Sequence, residues 1–271
     1  MNGAMKLPQY SEADHTFVLS AYGRSPYLEE CLQSLLKQTA RSNVLVATST
    51  PSQFLDEICE KYKVPQFRSG QNPGICSDWN FAVSCSRTSL VTIAHQDDIY
   101  EESYVERMLA KMNEASHPLI FFSNYGELRD GEKVDANTLL RIKRFMLLPM
   151  KRPSLFSSKF VRRRMLSFGS AICCPSVTLA VPNLPMPLFY DNLKCNLDWQ
   201  AWERVSRMEG EFLYDPSILM YHRIHEESET TALIKTNVRA EEDLYMLERF
   251  WPRPIARIMW RFYTMSLKSN G

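Results

Sequence analysis

The sequence predicts an α/β fold in which a doubly wound sheet occupies about the first 130 residues. Short apolar, β-branched runs alternate there with segments whose apolar residues recur at helical spacing, and this alternation is typical of a sheet covered by helices. The chain has 271 residues, of which 45% are hydrophobic and 23% charged, so it can bury a sizeable core in one large domain. Sheets of this kind bind ligands at the carboxyl ends of their strands.

The elements of the first half follow from hydrophobic patterning and turn residues. The apolar, β-rich residues 16–20 are followed by a polar turn and then by a segment with helical spacing. The same order recurs along the chain, and Pro51 and Ser52 suit the start of a helix. Strands are predicted at 16–20, 43–50, 64–69, 89–100 and 119–128, and helices at 27–39, 51–62, 101–115 and within 72–86 after a loop.

The second half has a different character. Residues 141–164 carry nine basic side chains and no Asp or Glu, which predicts either a solvated helical face or contact with a diphosphate or an anionic membrane surface. Four prolines in 171–191 favour strand and loop over helix. A helix is predicted at 197–208 and a short strand at 211–225. The amphipathic helical tail at 240–269 either docks onto the domain or attaches to a membrane surface.

Composition excludes several function classes. The 32 Lys and Arg nearly balance the 31 Asp and Glu, so whole-molecule electrostatics gives no basis for nucleic-acid binding. The first residues lack the apolar core of a signal peptide, and no apolar run reaches the roughly 20 residues of a membrane span, so we expect a cytoplasmic protein. Seven cysteines without paired zinc-site spacing fit reduced thiols. No G-x-G-x-x-G follows a strand, which disfavours a dinucleotide-binding oxidoreductase.

An acidic pair directly follows the strong apolar strand in 89–100. Asp97 and Asp98 would lie at the carboxyl edge of the sheet, where carboxylates suit a hard divalent cation and the phosphate oxygens of a ligand. The same pair can instead cap the helix that follows. Asn72 and Gly74 predict a turn at which the backbone approaches a ligand closely, although a plain turn explains them equally well.

Three side chains in the second half are further candidates. His222 and His225 follow a predicted strand, and residues three apart in an extended chain point to opposite faces, so only His225 is expected to reach a metal. Either histidine can also be a surface or core residue. Asp198 lies between the bulky Leu197 and Trp199, which would shield its carboxylate from water as a general base requires. Its alternative role is that of a helix cap.

The order of these motifs resembles the family 2 glycosyltransferases, inverting enzymes of the GT-A fold that transfer a sugar from a nucleotide-sugar donor and are abundant in bacterial surface-polysaccharide synthesis. The resemblance runs from about residue 17 to 231 and is carried by SAYGRSPYLEECLQSLLKQT, NPGICSDWNFAVSCS, HQDD, the Asp198–Trp199 pair and RIHEES. It implies a single GT-A domain with a mixed sheet at 1–232, followed by an amphipathic helical extension at 233–271. Within the domain, residues 1–130 would form the half that binds the nucleotide-sugar. Residues 131–232, which include the basic segment 141–164, would form the half that binds the acceptor.

The resemblance also implies residue roles. Asp97 matches the last acid of the family's DxD motif and would hold Mn²⁺ or Mg²⁺ against the donor's two phosphates, with Asp98 and His225 as the other metal ligands. Asp198 matches the catalytic base, and His95 stands where the family has the first acid of the motif. The donor-binding residues implied in this way are Ser20, Ala21, Tyr22, Arg24, Ser49, Asn72, Gly74, Asn80, His95, Gln96 and Asp97.

The implied reaction moves a hexosyl group from a nucleotide-sugar to a hydroxyl of a glycan or of a polyprenyl-diphosphate-linked glycan. Among nucleotide-sugars, a UDP-sugar is favoured as the donor. The metal would stabilise the departing diphosphate, and Asp198 would deprotonate the acceptor, with inversion. Residues 141–164 and 250–271 would provide peripheral contact with the inner face of a membrane. Two alternatives remain open. One is a metal-dependent nucleotidyltransferase, against which no Gly-rich loop with a Lys follows the first strand; the other is a non-catalytic membrane-surface protein.

Overall fold

A computed structural model describes residues 9–225 and 238–268 of the chain, with side chains to residue 261. The strands are β1 (His15–Ala21), β2 (Asn43–Thr48), β3 (Gln66–Arg68), β4 (Leu90–His95), β5 (Ile99–Tyr100), β6 (Pro118–Arg129), β7 (Glu132–Val134), β8 (Val177–Ala180) and β9 (Glu211–Ile224). The helices are α1 (Leu28–Leu36), α2 (Gln53–Tyr62), α3 (Ile75–Cys85), α4 (Tyr104–Glu114), α5 (Thr138–Met146), α6 (Lys159–Leu166), α7 (Leu197–Val205), α8 (Val238–Glu248) and α9 (Arg253–Lys268).

The strands form one mixed sheet in the order β3-β2-β1-β4-β8-β6-β9-β5, with β7 paired to β6. The strands β1 to β4 are parallel to one another, whereas β8 lies antiparallel between β4 and β6. Ser20 of β1 pairs with His95 of β4, so the carboxyl ends of these two strands lie side by side. The prediction of a mixed, doubly wound sheet is confirmed.

Burial explains why the central strands read as continuous apolar runs. Phe17, Val18 and Leu19 of β1 are 0% exposed, because β1 is hydrogen-bonded on both edges and lies inside the molecule.

Two helices begin directly after a residue whose side chain caps them. The Ser52 side chain accepts a hydrogen bond from Leu55 N at 3.3 Å, and Asn137 accepts one from Leu140 N at 2.8 Å. Local sequence therefore determines where these helices begin.

The structure extends or corrects several predicted elements. The predicted short strand at 211–225 is the 14-residue β9, which runs parallel to β6 with register shifts near Asn124. Only Val177–Ala180 forms a strand within 171–191. The two halves predicted at 1–130 and 131–232 share one sheet, because β8 and β9 join it. The predicted boundary at residue 232 and the Glu226–Ser228 part of RIHEES lie outside the described residues.

The basic segment 141–164 is neither a plain solvated face nor a uniform patch. Six of its nine cations contact protein groups, and Arg162 is fully buried, donating to the carbonyls of Met208 and Gly210 at 2.8 Å. Arg163 joins two other arginines around the buried Glu203 carboxylate. The other four contacting cations are Lys143, Arg144, Lys159 and Arg164. Part of this positive charge therefore serves buried groups, whereas Lys159 and Arg164 make their contacts at the surface.

The helical tail docks onto the domain. Trp251 donates its indole N–H to the Ser167 carbonyl of the domain at 2.7 Å, and within the tail Trp260 of α9 donates to the Ala240 carbonyl of α8 at 2.7 Å. Ala256 between them is buried. Of the two predictions for the tail, docking onto the domain is therefore the one that holds for α8 and the first half of α9. Within residues 9–225 and 238–268, no helix has both the length and the apolarity needed to cross a membrane.

Candidate active site

A cavity of about 650 Å³ opens at the carboxyl ends of β1 and β4. Residues from both predicted halves and from α8 line it, so residues more than 200 positions apart in the sequence meet there. Its wall includes Ser20, Tyr22, Arg24, Gly74, Trp79, His95, Gln96, Asp97, Lys143, Asp198, His222, His225 and Arg239. This is the position at which a doubly wound sheet binds its ligand.

Gln96 fixes the loop after β1. Its side-chain oxygen accepts from Tyr22 N at 3.0 Å, and its amide nitrogen donates to the Tyr22 carbonyl at 2.9 Å. The next residue, Gly23, has a φ of +60°, and its N–H donates to Thr50 Oγ1 at 2.7 Å. The Tyr22 side chain is 52% exposed at the cavity. These hydrogen bonds hold the loop after β1 in one conformation and leave the Tyr22 ring exposed at the cavity, where it can contact a ligand.

His95 presents a neutral ring nitrogen to the interior of the site. Its ring stacks on Trp79, with centroids 5.2 Å apart and planes 22° apart. Burial lowers the pKa of His95 to about 4, so the imidazole is neutral at physiological pH. Its Nε2 atom is buried and has no hydrogen-bond partner within the part of the chain that the structure describes. A buried polar atom of this kind is commonly satisfied by a ligand, an ion or water.

Asp97 and His225 form a polar pair at the cavity wall. His225 Nε2 lies 3.0 Å from Asp97 Oδ2, and both side chains are about one-fifth exposed. Arg223 holds the backbone of this turn, because its Nε atom donates to the Asp97 carbonyl at 2.8 Å. The Tyr27 ring packs against both Arg223 and His225. The carboxylate of Asp97 is therefore positioned by strand β9 as well as by β4.

Asp98 is buried and, unlike Asp97, does not line the cavity. Its side chain is 0% exposed, and Oδ1 lies 2.9 Å from His222 Nδ1 and 3.0 Å from Arg223 N. Both residues lie in the turn after β4, and they separate because Asp97 pairs with His225 whereas Asp98 bonds to His222 and to the backbone of Arg223. Asp98 instead ties the end of β4 to β9.

Both histidines line the cavity, and the expectation that only His225 reaches a metal stays a prediction. The alternation rule applies within a strand, but β9 ends at Ile224, so His225 lies beyond it. Burial lowers the pKa of His222, but the neighbouring Asp98 carboxylate outweighs this effect, and the pKa lies above the ordinary histidine value. The Asp98 carboxylate, which was predicted to bind a metal, therefore favours the charged form of His222.

Asp198 lies in the first turn of α7, as predicted, and its side chain lines the cavity. Its Oδ1 accepts from Trp199 N at 2.7 Å, but the N-cap residue of α7 is Asn196, so Asp198 is an acid of the first turn and not the cap. Leu197 and Trp199 on either side are each 2% exposed. Burial raises the pKa of Asp198 above the ordinary aspartate value, although the nearby Arg239 and Lys143 oppose this shift.

A pair of acids in α8 anchors the loop before Asp198. The Glu242 carboxylate accepts from the backbone N–H groups of Lys194, Cys195 and Asn196 at 2.6, 2.8 and 3.0 Å. Asp243 accepts from Asn196 Nδ2 at 2.8 Å. A carboxylate at this place also complements the positive end of the α7 dipole. The predicted C-terminal extension therefore helps to build the site.

The other predicted donor-binding residues divide into two groups. Ser20, Tyr22, Arg24 and Gly74 lie at the cavity wall. The structure does not bring Ala21, Ser49, Asn72 or Asn80 to that wall. The Asn80 amide instead bonds both backbone groups of Phe189, at 2.8 and 3.1 Å, and so holds a loop behind Trp79. Ala21 is buried, and Asn72 is exposed in its turn.

Several cavity-lining residues are not among those predicted from the sequence. Trp79, Lys143, His222 and Arg239 all reach the cavity. NPGICSDWNF contains Trp79 directly before Asn80, so an aromatic residue beside a predicted ligand-binding turn was a signal for it. Lys143 carries a weaker signal, since it belongs to the basic segment. No local signal identifies Arg239, because the fold of α8 against α7 decides its place.

The Asp97–His225 pair on the cavity wall offers one carboxylate and one imidazole to a divalent cation. Among the residues described, no group of three or more His, Cys, Asp or Glu side chains could hold an ion by itself. Mg²⁺ often takes one or two carboxylates and completes its shell with substrate phosphates and water. Asp97 and His225 on the cavity wall fit an ion that a diphosphate helps to bind.

Similar structures show the same fold. A structure of S. aureus TarS 1-349 in complex with UDP-GlcNAc aligns with a TM-score of 0.63 at 14% identity, covering 91% of this chain and 70% of that one. The complex of the same fragment with UDP aligns with a TM-score of 0.56 at 15% identity, over 88% and 70% of the two chains. The predicted GT-A fold is confirmed.

Curated relatives match the chain in part. Glycosyltransferase GlyG of Streptococcus pneumoniae serotype 4 is 24% identical over 118 residues, which are 41% of this chain and 39% of that protein. Glycosyltransferase GlyA of the same organism is 25% identical over 122 residues, 43% of this chain and 17% of that protein. The match thus spans well under half of each relative. The model of the family described as "Glycosyl transferase family 2" matches residues 16–175, more than half of the chain, and the chain belongs to that family.

Proposed function

We propose that the protein is an inverting glycosyltransferase that moves a hexosyl group from a nucleoside-diphosphate sugar to an acceptor hydroxyl. The observation that carries this proposal is the placement of the Asp97–His225 pair and the Asp198 carboxylate on the walls of one cavity at the carboxyl edge of the sheet. Family membership and the sugar-nucleotide complex of TarS support the donor class, and they favour a UDP-sugar.

The donor half of the cavity suits a nucleoside diphosphate. The exposed ring of Tyr22 and the face of the Trp79–His95 stack offer contacts to a base or a ribose. Asp97 and His225 would hold Mn²⁺ or Mg²⁺ with the diphosphate, and the bound ion would supply charge stabilisation to the leaving group. Gln96 contributes by fixing the Tyr22 backbone through two hydrogen bonds.

Asp198 is the proposed general base. Breaking the bond between the anomeric carbon and the phosphate oxygen leaves positive charge on the sugar, and the attacking hydroxyl must lose a proton. The Asp198 carboxylate would accept that proton at Oδ2, since Oδ1 is engaged by Trp199 N. Direct attack from the side opposite the diphosphate inverts the anomeric centre. The raised pKa of Asp198 makes it a stronger base than an exposed aspartate.

The acceptor is proposed to be a glycan or a lipid-linked glycan. Lys143 and Arg239 lie on the wall that also carries Asp198, so this side of the cavity bears positive charge. Such charge suits an acceptor that carries phosphate, including a polyprenyl diphosphate. An enzyme with such an acceptor would work in the cytoplasm at the inner face of a membrane.

Calorimetric titration with UDP, GDP, dTDP and CDP, each with and without Mn²⁺, tests the donor site. We expect metal-dependent binding of one nucleotide, UDP first, and its loss in Asp97→Ala. Asp191→Ala, which removes an exposed aspartate outside the cavity wall, serves as the control. Equal affinity in the wild type and in Asp97→Ala would contradict the role of Asp97. Release of pyrophosphate instead of a nucleoside diphosphate during turnover would favour the nucleotidyltransferase alternative.

A further inference from the structure

Helix α5 carries an apolar stripe on its outer face. Leu139, Ile142 and Phe145 recur at every third position and therefore share one face of the helix. They are 49%, 53% and 73% exposed. Leu148, in the 3-10 turn Leu148–Lys151 that follows, is 46% exposed. We refer to Leu139, Ile142, Phe145 and Leu148 as the α5 stripe.

Contacts on the opposite face of α5 hold the helix in the orientation that points the stripe to the outside. Leu140 is 1% exposed, and the Lys143 ammonium donates to the Tyr125 hydroxyl at 2.7 Å. Arg144 donates to the Tyr125 carbonyl at 3.0 Å, and Asn137 caps the first turn. Rotating the helix to bury the stripe would break these contacts. The outward orientation is therefore a property of the fold.

The chain next to the stripe is mostly basic, and the nearest acid in sequence is the exposed Asp135 before α5. Three cations close to the stripe in the chain are exposed, namely Arg141, Lys151 and Arg152. They are the basic residues of 141–164 for which no contact was described above. Residues 136–190 contain no Asp or Glu. An exposed apolar stripe rimmed by cations complements an anionic bilayer, in which acyl chains accept the apolar groups and lipid phosphates meet the cations. A second copy docked through the same face would bring like charges together.

We propose that the α5 stripe docks this protein on an anionic lipid surface. Lys143 of the same helix lines the cavity, so docking through the outer face of α5 would hold the cavity beside the bilayer. A lipid-linked acceptor would then reach Asp198 without leaving the membrane. The docking itself does not depend on the proposed sugar transfer, and the two can be tested separately.

Sedimentation of the full chain with phosphatidylcholine vesicles, with or without phosphatidylglycerol, tests the docking. The wild type should bind the anionic vesicles and not the neutral ones. The double variant I142S/F145S should lose about tenfold or more in affinity, because both side chains would enter the acyl boundary. R141Q/K151Q/R152Q should also lose about tenfold, and added salt should weaken wild-type binding. L36S/F67S is the control, since these side chains are 44% and 41% exposed on other elements.

Thermal unfolding, light scattering and UDP titration of the same variants complete the test. I142S/F145S should unfold at the wild-type temperature, since neither side chain is in the core. A large fall in its unfolding temperature would show that another part of the chain covers the stripe and would overturn the proposal. A wild-type oligomer that I142S/F145S converts to a monomer would also overturn it, as would vesicle binding that the variant retains. Vesicle binding without UDP binding would leave the docking in place and contradict the donor site.

Discussion

Asp198 combines two properties that a general base needs, a position on the cavity wall and a pKa above the ordinary aspartate value. We expect Asp198→Asn to lower the turnover number by about 10² to 10⁴, because an amide cannot accept the proton of the acceptor hydroxyl. Donor affinity should stay at the wild-type level, since the Asp97–His225 pair is untouched. Initial rates and a nucleotide titration on the same preparation measure the two effects.

The pH profile of turnover gives an independent check on Asp198. Burial disfavours the carboxylate, so Asp198 takes up a proton at a higher pH than an exposed aspartate would, and the protonated form is inactive as a base. The acid limb of the profile should therefore lie above the ordinary aspartate pKa of 3.8. Wild-type turnover in Asp198→Asn would exclude the residue from this role.

At the scale of elements, the site depends on how α8 packs against the start of α7. Buried Glu242 of α8 holds the backbone of 194–196, buried Asp243 holds the Asn196 side chain, and this loop leads directly into Asp198. These contacts join residues nearly 50 positions apart. The C-terminal extension is thus part of the catalytic scaffold, and a change in α8 should affect stability and turnover together.

Glu242→Ala should lower the free energy of unfolding by about 2–4 kcal/mol, because three backbone N–H groups lose a charged acceptor. It should also lower the turnover number, since the loop before Asp198 would lose its anchor. Urea unfolding and initial rates measure these effects. Glu241→Ala is the matched control, because Glu241 is the exposed neighbour. Equal losses in both variants would show that the effect comes from α8 as a helix and not from the anchor.

At the scale of the whole molecule, a buried histidine makes the fold sensitive to acid. His15, at the start of β1, is 0% exposed, with its ring nitrogens facing Ser42 Oγ and Thr92 Oγ1. Burial lowers the pKa of His15 to about 3, against an ordinary value of 6.5. Between these values the unfolded chain binds a proton that the folded chain does not, so stability falls as the pH is lowered.

The free energy of unfolding should therefore decrease below pH 6.5, with His15 contributing up to about 1.4 kcal/mol per pH unit until the pH nears 3. Denaturant unfolding at a series of pH values measures the slope. His15→Gln should have a smaller slope in this range, whereas His117→Gln, which replaces an exposed histidine, serves as the control. A wild-type slope in His15→Gln would contradict the assignment.

Much of the first half could be predicted from the sequence, because its signals are local. The alternation of strand and helix, the end of β4 before Asp97 and the place of Asp198 in the first turn of α7 all follow from patterns within a few residues. The opposite orientations of Asp97 and Asp98 could not be read in this way. Which of the two faces the cavity depends on β9, which supplies partners for both.

The sequence by itself determined the family, the mixed α/β fold and the chemical types of the residues at the carboxyl edge of the sheet, because helical and strand periodicity and short motifs are properties of neighbouring residues. The packed structure was needed to show that both His222 and His225 reach the cavity, that Arg162 is buried against backbone carbonyls and that α8 anchors the loop before Asp198. These features depend on contacts between residues far apart in the chain, and burial and charge at such contacts exist only once the sheet and helices have packed.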